Sequence, residues 1–197
     1  MTIALPTDVI PTSMTPRLIS RRRDLTPTFG GPVTRIQRLG SRWAIDFEMP
    51  PMAYVQAMKW IAALTAGEGD TVSIKIPQPF FDVGSPGTPL VNGGSQLGTS
   101  INIDGLSSTY KAHAGQWFNL TASSRSYLYQ VAEDKTAASG VMAGLKFNPM
   151  IRRSPADNSA VNFAAPVIEG WLGGNDTSWT VDNAMWTGIK FTIEERE

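Results

Sequence analysis

The sequence predicts a mainly β protein with a single α-helix, and three observations support this class. Its 18 glycines and 14 prolines are spread along all 197 residues, so the chain turns often. Several short stretches alternate apolar and polar side chains with a period of two, as half-buried strands do. Only one stretch repeats its apolar residues with the helical period. Short strands joined by many turns produce this combination, and long helices do not.

Residues 34–49 carry the clearest strand signal. In the second half of this stretch the apolar residues fall on one side of an extended chain, and they are Trp43, Ile45, Phe47 and Met49. Gly40 and Ser41 interrupt the alternation, so we expect a turn or bulge between two strands at this point.

Residues 52–66 are the one stretch with a convincing helical repeat. Pro51 suits the first turn of a helix, and Gly67 suits a left-handed C-terminal cap. The apolar stripe is predicted to run through Met52, Val55, Met58 or Lys59, and Ala62, and to be widened by Trp60, Ile61 and Leu64. Such a stripe packs against a sheet.

The remaining strand signals divide the chain into three parts. They lie at residues 71–76, 100–104, 115–120, 127–131, 142–147, 167–172, 178–181 and 188–193. We predict an N-terminal arm (1–25), a β domain built from 26–84 together with 165–197, and an inserted small β module (85–164). The two ends are expected to share a sheet, because neither has enough strands alone to bury its apolar faces.

Residues 1–25 are interpreted as an extended arm, since Pro6, Pro11 and Pro16 exclude a continuous helix. The arm is rich in arginine, and the candidate docking residues are Arg17, Arg21, Arg22 and Arg23. One interpretation is a solvated stretch. The other is an arm that docks on a neighbouring subunit through ion pairs.

The charge balance bears on possible partners. The net charge is 0 and charged residues make up only 17% of the chain, below the usual share of about 25%. A neutral chain has little long-range attraction for phosphate, so no nucleic-acid specificity is expected. It does tend to self-associate. We see no signal peptide at the N-terminus, and no apolar run approaches the length of a membrane span.

The residues that carry enzyme chemistry do not form a recognisable constellation, so we predict that the protein is not an enzyme. There is no cysteine and His113 is the only histidine, which leaves no recognisable metal or cofactor site. Gly93–Ser100 has the glycine spacing of a phosphate loop, but Thr99 stands where the lysine is required. The two glycosylation sequons, at Asn119 and Asn175, are treated as chance. Scattered carboxylates that could serve a glycosidase are Asp46, Glu48, Asp104, Glu133, Asp134 and Asp182.

Aromatic residues of the inserted module are a candidate binding surface, formed by Trp117, Tyr127 and Tyr129. Exposed rings could bind a sugar or stack on bases. Packing in the core of the module is the other interpretation, and few basic residues accompany the rings.

A collinear series of short motifs resembles a known family. The motifs are Gly40–Trp43, Met49–Met52 with the Ala-rich helix after it, Gly87–Gly93, Asp104–Gly105, Ala114–Phe118, Tyr129–Val131, Phe147–Arg152 and Ser154–Asn158. In this order they resemble the distal tail proteins, minor tail or baseplate ring proteins of long-tailed bacteriophages. The resemblance covers roughly residues 26–195.

The resemblance implies a β-sandwich or split-barrel ring domain with an inserted small β-barrel. It further implies a homohexameric ring in the virion, made in the cytoplasm of the bacterial host and placed at the tail tip. There the ring links the tail tube and tape-measure protein to tip, hub or tail-fibre proteins. The family brings no catalytic residues to this chain. A closed ring uses head-to-tail contacts that cover open strand edges. The alternative function is a carbohydrate- or receptor-binding module of the same tail.

Overall fold

The structure is a computed structural model, and it describes residues 1–79, 81–174, 179–181 and 186–196. The fold is mainly β, with 48% of residues in strands and 7% in helix, which confirms the predicted class. The elements are β1 (Thr2–Ala4), β2 (Ser13–Ile19), β3 (Arg23–Leu25), β4 (Thr34–Ile36), β5 (Arg42–Glu48), β6 (Met52–Ala53), α1 (Tyr54–Ala66), β7 (Thr71–Lys75), β8 (Gly87–Val91), β9 (Ser100–Leu106), β10 (Lys111–Ala112), β11 (Trp117–Ala122), β12 (Arg125–Val131), β13 (Lys135–Thr136), β14 (Met142–Asn148), β15 (Val161–Asn162), β16 (Val167–Leu172), β17 (Trp179–Val181) and β18 (Trp186–Glu195).

The larger sheet has eight strands and joins both ends of the chain. Its main path is β1-β7-β16-β18-β5-β2, in which only the β1–β7 pair is parallel. The long strand β18 changes partners along its length. Its first residues pair with β17 and β6, and residues 190–195 pair with β5 and β16. Strand β18 therefore holds the sheet together.

The first 19 residues are not a free arm, which corrects the prediction for residues 1–25. Strand β1 pairs with β7, and β2 pairs with β5 over its whole length. Strand β2 lies at the edge of the sheet, where a proline such as Pro16 is tolerated because one side of the strand needs no ladder partner. The prolines exclude a helix, as expected, but they do not exclude an edge strand.

Helix α1 begins at Tyr54, two residues later than predicted, because Met52 and Ala53 form the short strand β6. The predicted stripe is only partly correct. Val55 is 76% exposed, and the buried face consists of Ala57, Trp60, Ile61 and Leu64. Trp60 packs near Phe191 of β18, with ring centroids 6.3 Å apart. The helix thereby covers the apolar face of the larger sheet.

Gly67 ends the helix, but it does not adopt the predicted left-handed conformation. Its φ is −75°, in the right-handed region. A Cβ atom at this position would lie 2.2 Å from Cγ1 of Val72. The position therefore requires glycine for its size, because the chain returns to β7 through a space that a methyl group would fill.

Residues 87–162 form a nearly closed barrel-like sheet of six strands in the order β15-β11-β12-β14-β9-β8. An antiparallel bridge between Leu90 and Ala160 brings its two ends together. The interior is aromatic, and Phe118 packs on Phe163 and Phe147 at centroid distances of 5.0 and 5.6 Å. The barrel strands lie inside the range 85–164 that was assigned to the inserted module.

The barrel packs directly on the larger sheet. Trp117 and Leu128 of the barrel belong to the apolar core of the larger sheet and helix. The rings of Trp43 and Trp117 meet edge to face at 4.7 Å. Gln78 accepts a hydrogen bond from the Trp117 backbone N–H at 2.8 Å. The two parts of the fold therefore share a buried seam.

Candidate interaction surfaces

The hairpin formed by β3 and β4 projects from the rest of the fold. The two strands pair only with each other, and every residue from 20 to 39 is exposed. Asp24 and Arg35 face each other across the hairpin in a two-bond ion pair, with N–O distances of 2.7 and 2.9 Å. The guanidinium of Arg35 lowers the pKa of Asp24. The hairpin is thus ordered by its own contacts.

The hairpin is also apolar. Its exposed large apolar residues are Leu25, Phe29, Val33, Ile36 and, directly after it, Leu39. Phe29, in the loop between the strands, is fully exposed at 101%. A lone two-stranded hairpin is only marginally stable in water, and a group of exposed apolar side chains usually marks an interaction site. The β3–β4 hairpin is such a lone hairpin and carries such a group of exposed apolar side chains, so it is a candidate interaction site.

A second apolar surface lies where β18 begins, and we call it the Trp186 patch. Strand pairing places Trp186 opposite Ala53, which is followed directly by the first residues of α1. The exposed members of the patch are Tyr54, Val55 and Trp186. Trp179 and Val181 of β17 are also exposed, but they lie opposite Ile189 and Thr187 and so belong to the other face of the sheet. The patch is formed by β18 and the first turn of α1, and so shares no residue with the hairpin.

Arg17, a predicted docking residue, is engaged within its own sheet. Its guanidinium donates two hydrogen bonds of 3.1 Å to Asp46 on the neighbouring strand β5. Thr192 donates a third to the same carboxylate at 2.7 Å. The bond from Arg17 is the main cause that lowers the pKa of Asp46. Glu48, on the same strand as Asp46, pairs with Lys190 at 2.7 Å.

The other three predicted docking residues lie together around one cavity, which we call the arginine cavity. Its volume is about 570 Å³, and five arginines line it: Arg21, Arg22, Arg23, Arg38 and Arg152. The sequence pattern placed Arg38 in a strand and gave no sign of Arg152, which is more than one hundred residues away in the chain. No local pattern could have indicated that Arg152 joins this group.

The aromatic surface predicted for the inserted module does not exist. Trp117, Tyr127 and Tyr129 are 8%, 3% and 0% exposed. Strands β11 and β12 are covered on both faces, by the barrel interior on one side and by the larger sheet on the other. Burial raises the pKa of Tyr129 to about 12. The rings are core residues and offer no platform for a sugar or a base.

A buried ion pair sits in the seam between barrel and sheet. The Glu195 carboxylate accepts hydrogen bonds from the backbone N–H groups of Trp43 and Leu128, both at 2.8 Å. It also pairs with Arg152 at 2.7 Å, and the two side chains are 1% and 5% exposed. Burial raises the pKa of Glu195, while Arg152 and the two N–H groups oppose that rise. One carboxylate thus joins β5, β12, β18 and the loop after β14.

Asn119 makes a second polar connection across the seam. Its amide donates to the carbonyl of Val167 at 2.6 Å, and its side-chain oxygen accepts from the Val167 N–H. The side chain is buried, so the sequon at Asn119 cannot carry a glycan without disrupting the fold. The sequon at Asn175 lies outside the described residues.

The carboxylates that we considered for hydrolysis are dispersed over the fold. Besides Asp46 and Glu48, Glu133 pairs with Lys146 at 3.2 Å and Asp134 pairs with Lys111 at 2.7 Å. The pKa of Asp134 is lowered, chiefly by the Ala114 N–H. Asp182 lies outside the described residues. In the part of the chain that the structure describes, no three His, Asp or Glu side chains are placed to hold a metal ion.

The glycine-rich segment 93–100 is a turn organised by its own side chains. Gln96 donates to the carbonyls of Asn92 and Gly93 at 2.8 and 2.7 Å and accepts from the Asn102 N–H. Asp157 accepts from the Gly93 N–H at 2.8 Å. A phosphate loop needs free N–H groups and a lysine, whereas a carboxylate occupies this turn.

An apolar groove of about 700 Å³ follows the connection between β1 and β2. Its walls include Pro6, Val9, Ile10, Ile74, Ile76 and Pro77. The described residues of the lining offer hydrophobic contact and include no cluster of reactive groups.

No protein-family model matches this chain, and no curated protein matches it significantly. Within the ranges that the structure describes, no helix is both long and apolar enough to cross a membrane.

Proposed function

We propose that this protein is a structural subunit that associates with copies of itself, head to tail, in a ring at the tail tip of a long-tailed bacteriophage. The exposed β3–β4 hairpin carries this proposal. It presents Leu25, Phe29, Val33 and Ile36 to solvent, and nothing in the described part of the chain covers them. In this proposal a second copy of the chain buries these four side chains.

The arrangement of apolar surface favours a head-to-tail contact. The hairpin and the Trp186 patch are built from different strands and share no residue. A contact between two unlike surfaces leaves one of each kind free on the pair, so that further copies add until a ring closes. The hairpin of one copy and the Trp186 patch of the next are the surfaces that we assign to this contact.

The phage assignment rests on the motif series and agrees with the architecture. A β domain with one helix and an inserted barrel-like module is what the resemblance to distal tail proteins implies. In this proposal the ring contains six copies and links the tail tube and tape-measure protein to tip, hub or tail-fibre proteins of the virion. The protein is a scaffold and has no catalytic role.

Native mass spectrometry of the purified full chain tests the association. We expect the mass of six chains for the unchanged protein and the mass of one chain for the variant Phe29→Ser/Val33→Ser, because both side chains are exposed and the fold does not need them. The control is Leu97→Ser, which removes a side chain that is 63% exposed on the barrel. This variant should remain hexameric.

Two outcomes would contradict the proposal. One is a single-chain mass for the unchanged protein at every concentration. The other is an unaltered assembly in the Phe29→Ser/Val33→Ser variant, which would show that the hairpin makes no contact between copies. Electron microscopy of virions with an antibody to the barrel tests the location separately, and we expect label at the tail tip.

A further inference from the structure

We propose that the base of the β3–β4 hairpin is a hinge, about which the hairpin turns relative to the larger sheet. The hinge consists of residues 20–22 on one strand and 37–41 on the other. The turning motion does not depend on ring formation. Its use in docking rests on the proposed function, because the hairpin is the surface that we assign to the contact between copies.

The two ladders on either side of the hinge are out of step. Strand β2 pairs with β5 so that Ile19 lies opposite Arg42, and β3 pairs with β4 so that Arg23 lies opposite Ile36. Three residues therefore join the ladders on the first strand of the hinge, and five join them on the second. A mismatch of this kind is a bulge, which interrupts the ladder and bends the strand. The hairpin thus continues the edge of the sheet without being locked to it.

No backbone ladder holds the two sides of the hinge together. Among the described residues, no backbone–backbone hydrogen bond outside the strands joins one side to the other. The Arg21 N–H donates instead to the Ser41 hydroxyl at 3.1 Å, a contact that rotation of the serine side chain releases. Gly40 has a φ of +107°, which glycine adopts without strain. A few residues that change φ and ψ without breaking a ladder are what a hinge requires.

Side-chain packing does not fix the direction of the hairpin. Every residue from 20 to 39 is exposed, and no residue of β3 or β4 belongs to either apolar core. Two open spaces border the hinge. One is the arginine cavity of about 570 Å³, and the other is a space of about 220 Å³ that is also lined by Asn148, Pro149 and Met150 of the barrel. Segments with few buried contacts move at low cost in free energy, so the hairpin is free to turn.

A hairpin that turns as one unit suits a contact between copies of the chain. The apolar side chains of the contact lie beyond the hinge, on strands that are held together by their own pairing and by the Asp24–Arg35 ion pair. These side chains therefore keep their arrangement while the direction of the hairpin changes. The neighbouring copy sets the final direction when it buries them.

Electron spin resonance distances test the hinge on the full chain, which contains no cysteine and so carries spin labels only where cysteines are introduced. The variant Thr28→Cys/Leu97→Cys joins the hairpin loop to the barrel. The control, Glu68→Cys/Leu97→Cys, joins the turn after α1 to the same exposed barrel site. Labelled chain is diluted with unlabelled chain before assembly, so that only distances within one chain are measured.

We expect a broader distance distribution for the hairpin pair than for the control pair. The control sites lie on parts of the fold that share a buried seam, whereas the hairpin pair spans the hinge. Equal widths for the two pairs would overturn the proposal.

Deletion of Leu39 and Gly40 locates the motion. It leaves three residues on each side of the hinge, so that the two ladders join in one uninterrupted register. In this variant the distribution between residues 28 and 97 should narrow to the width of the control pair. A folded deletion variant that keeps the broad distribution would place the motion elsewhere and refute the hinge.

Amide hydrogen exchange of the unchanged protein is a second measurement, which does not depend on how any variant folds. We expect protection in β3 and β4, because these strands pair with each other, and fast exchange in the hinge segments between them and the sheet. Hinge amides as well protected as those of β2 and β5 would contradict the proposal.

Native mass spectrometry separates the hinge from ring formation. We expect the mass of one chain for the Leu39–Gly40 deletion variant, because its hairpin is held in line with the sheet and does not adjust to a neighbour. A deletion variant that assembles like the unchanged protein would disprove the docking role. If the unchanged protein is itself a single chain, the ring proposal fails, whereas the label distances still decide whether the hairpin turns.

Discussion

Asn119 acts as a substitute for a strand at the seam between the two parts of the fold. Its side chain offers one donor and one acceptor to the backbone of Val167, in the pattern that a neighbouring strand would provide. Asn162 makes the same two-way contact with the backbone of Ala165, at 3.0 and 2.8 Å. The two asparagines differ in burial, because Asn119 is 2% exposed whereas Asn162 is exposed.

This difference predicts unequal costs for the same substitution. Asn119→Ala should lower the free energy of unfolding by about 1–3 kcal/mol, because the Val167 N–H and C=O are left without partners in a partly buried place. Asn162→Ala should cost less than about 1 kcal/mol, since water replaces its contacts. Urea unfolding of both variants measures the difference. Equal costs would show that burial does not control the strength of this contact.

Sequence patterns predict most elements of the fold because burial on one face leaves a periodic trace. Strand β16 matches the predicted range, and helix α1 is wrong by two residues at its start. Strand β2 was missed because an edge strand with a proline has no clear alternation. Strands β11 and β12 were predicted, but the sequence left open whether their aromatic rings are exposed or buried. Both faces of these strands are covered, and a sequence pattern cannot show what covers a face.

Candidate sites are harder to predict than elements, because they depend on residues that are distant in sequence. The triple arginine at Arg21–Arg23 was visible as a charged run. Its association with Arg152 depends on how the loop after β14 packs against the turn after β2. The hairpin illustrates the same limit, since exposure of Phe29 follows from the absence of neighbours and leaves no mark in the local sequence.

At the scale of an element, the end of helix α1 makes a specific prediction about Gly67. Gly67→Ala should destabilise the protein by about 1–3 kcal/mol, because its Cβ would meet Val72 at 2.2 Å and force a shift in a packed region. Gly69→Ala is the control, since no atom lies within 4 Å of a Cβ at that position. Thermal unfolding should show a lower midpoint for the first variant only. A neutral Gly67→Ala would mean that the turn into β7 relaxes freely.

At the scale of the whole molecule, the Glu195–Arg152 pair connects barrel and sheet. Removing one member of a buried pair is costly because it leaves the other charge without a partner. Glu195→Gln should therefore cost about 3–5 kcal/mol, as should Arg152→Met. The double variant should cost clearly less than the sum of the two. Denaturant unfolding in a double-mutant cycle checks this, and strict additivity would show that the two residues do not depend on each other.

The closure of the barrel has a consequence for how such a chain can diversify. Its first and last strands meet at the bridge between Leu90 and Ala160, so the polypeptide enters and leaves the barrel at neighbouring points. By connectivity alone, the barrel could be exchanged for another module in a single recombination event. The buried contacts of Trp117 and Leu128 oppose such an exchange, because the larger sheet would lose apolar cover. Glu195 would also lose two hydrogen-bond donors, the Leu128 N–H and Arg152. A replacement module must therefore supply apolar side chains and two hydrogen-bond donors for Glu195 on the face that packs against the larger sheet.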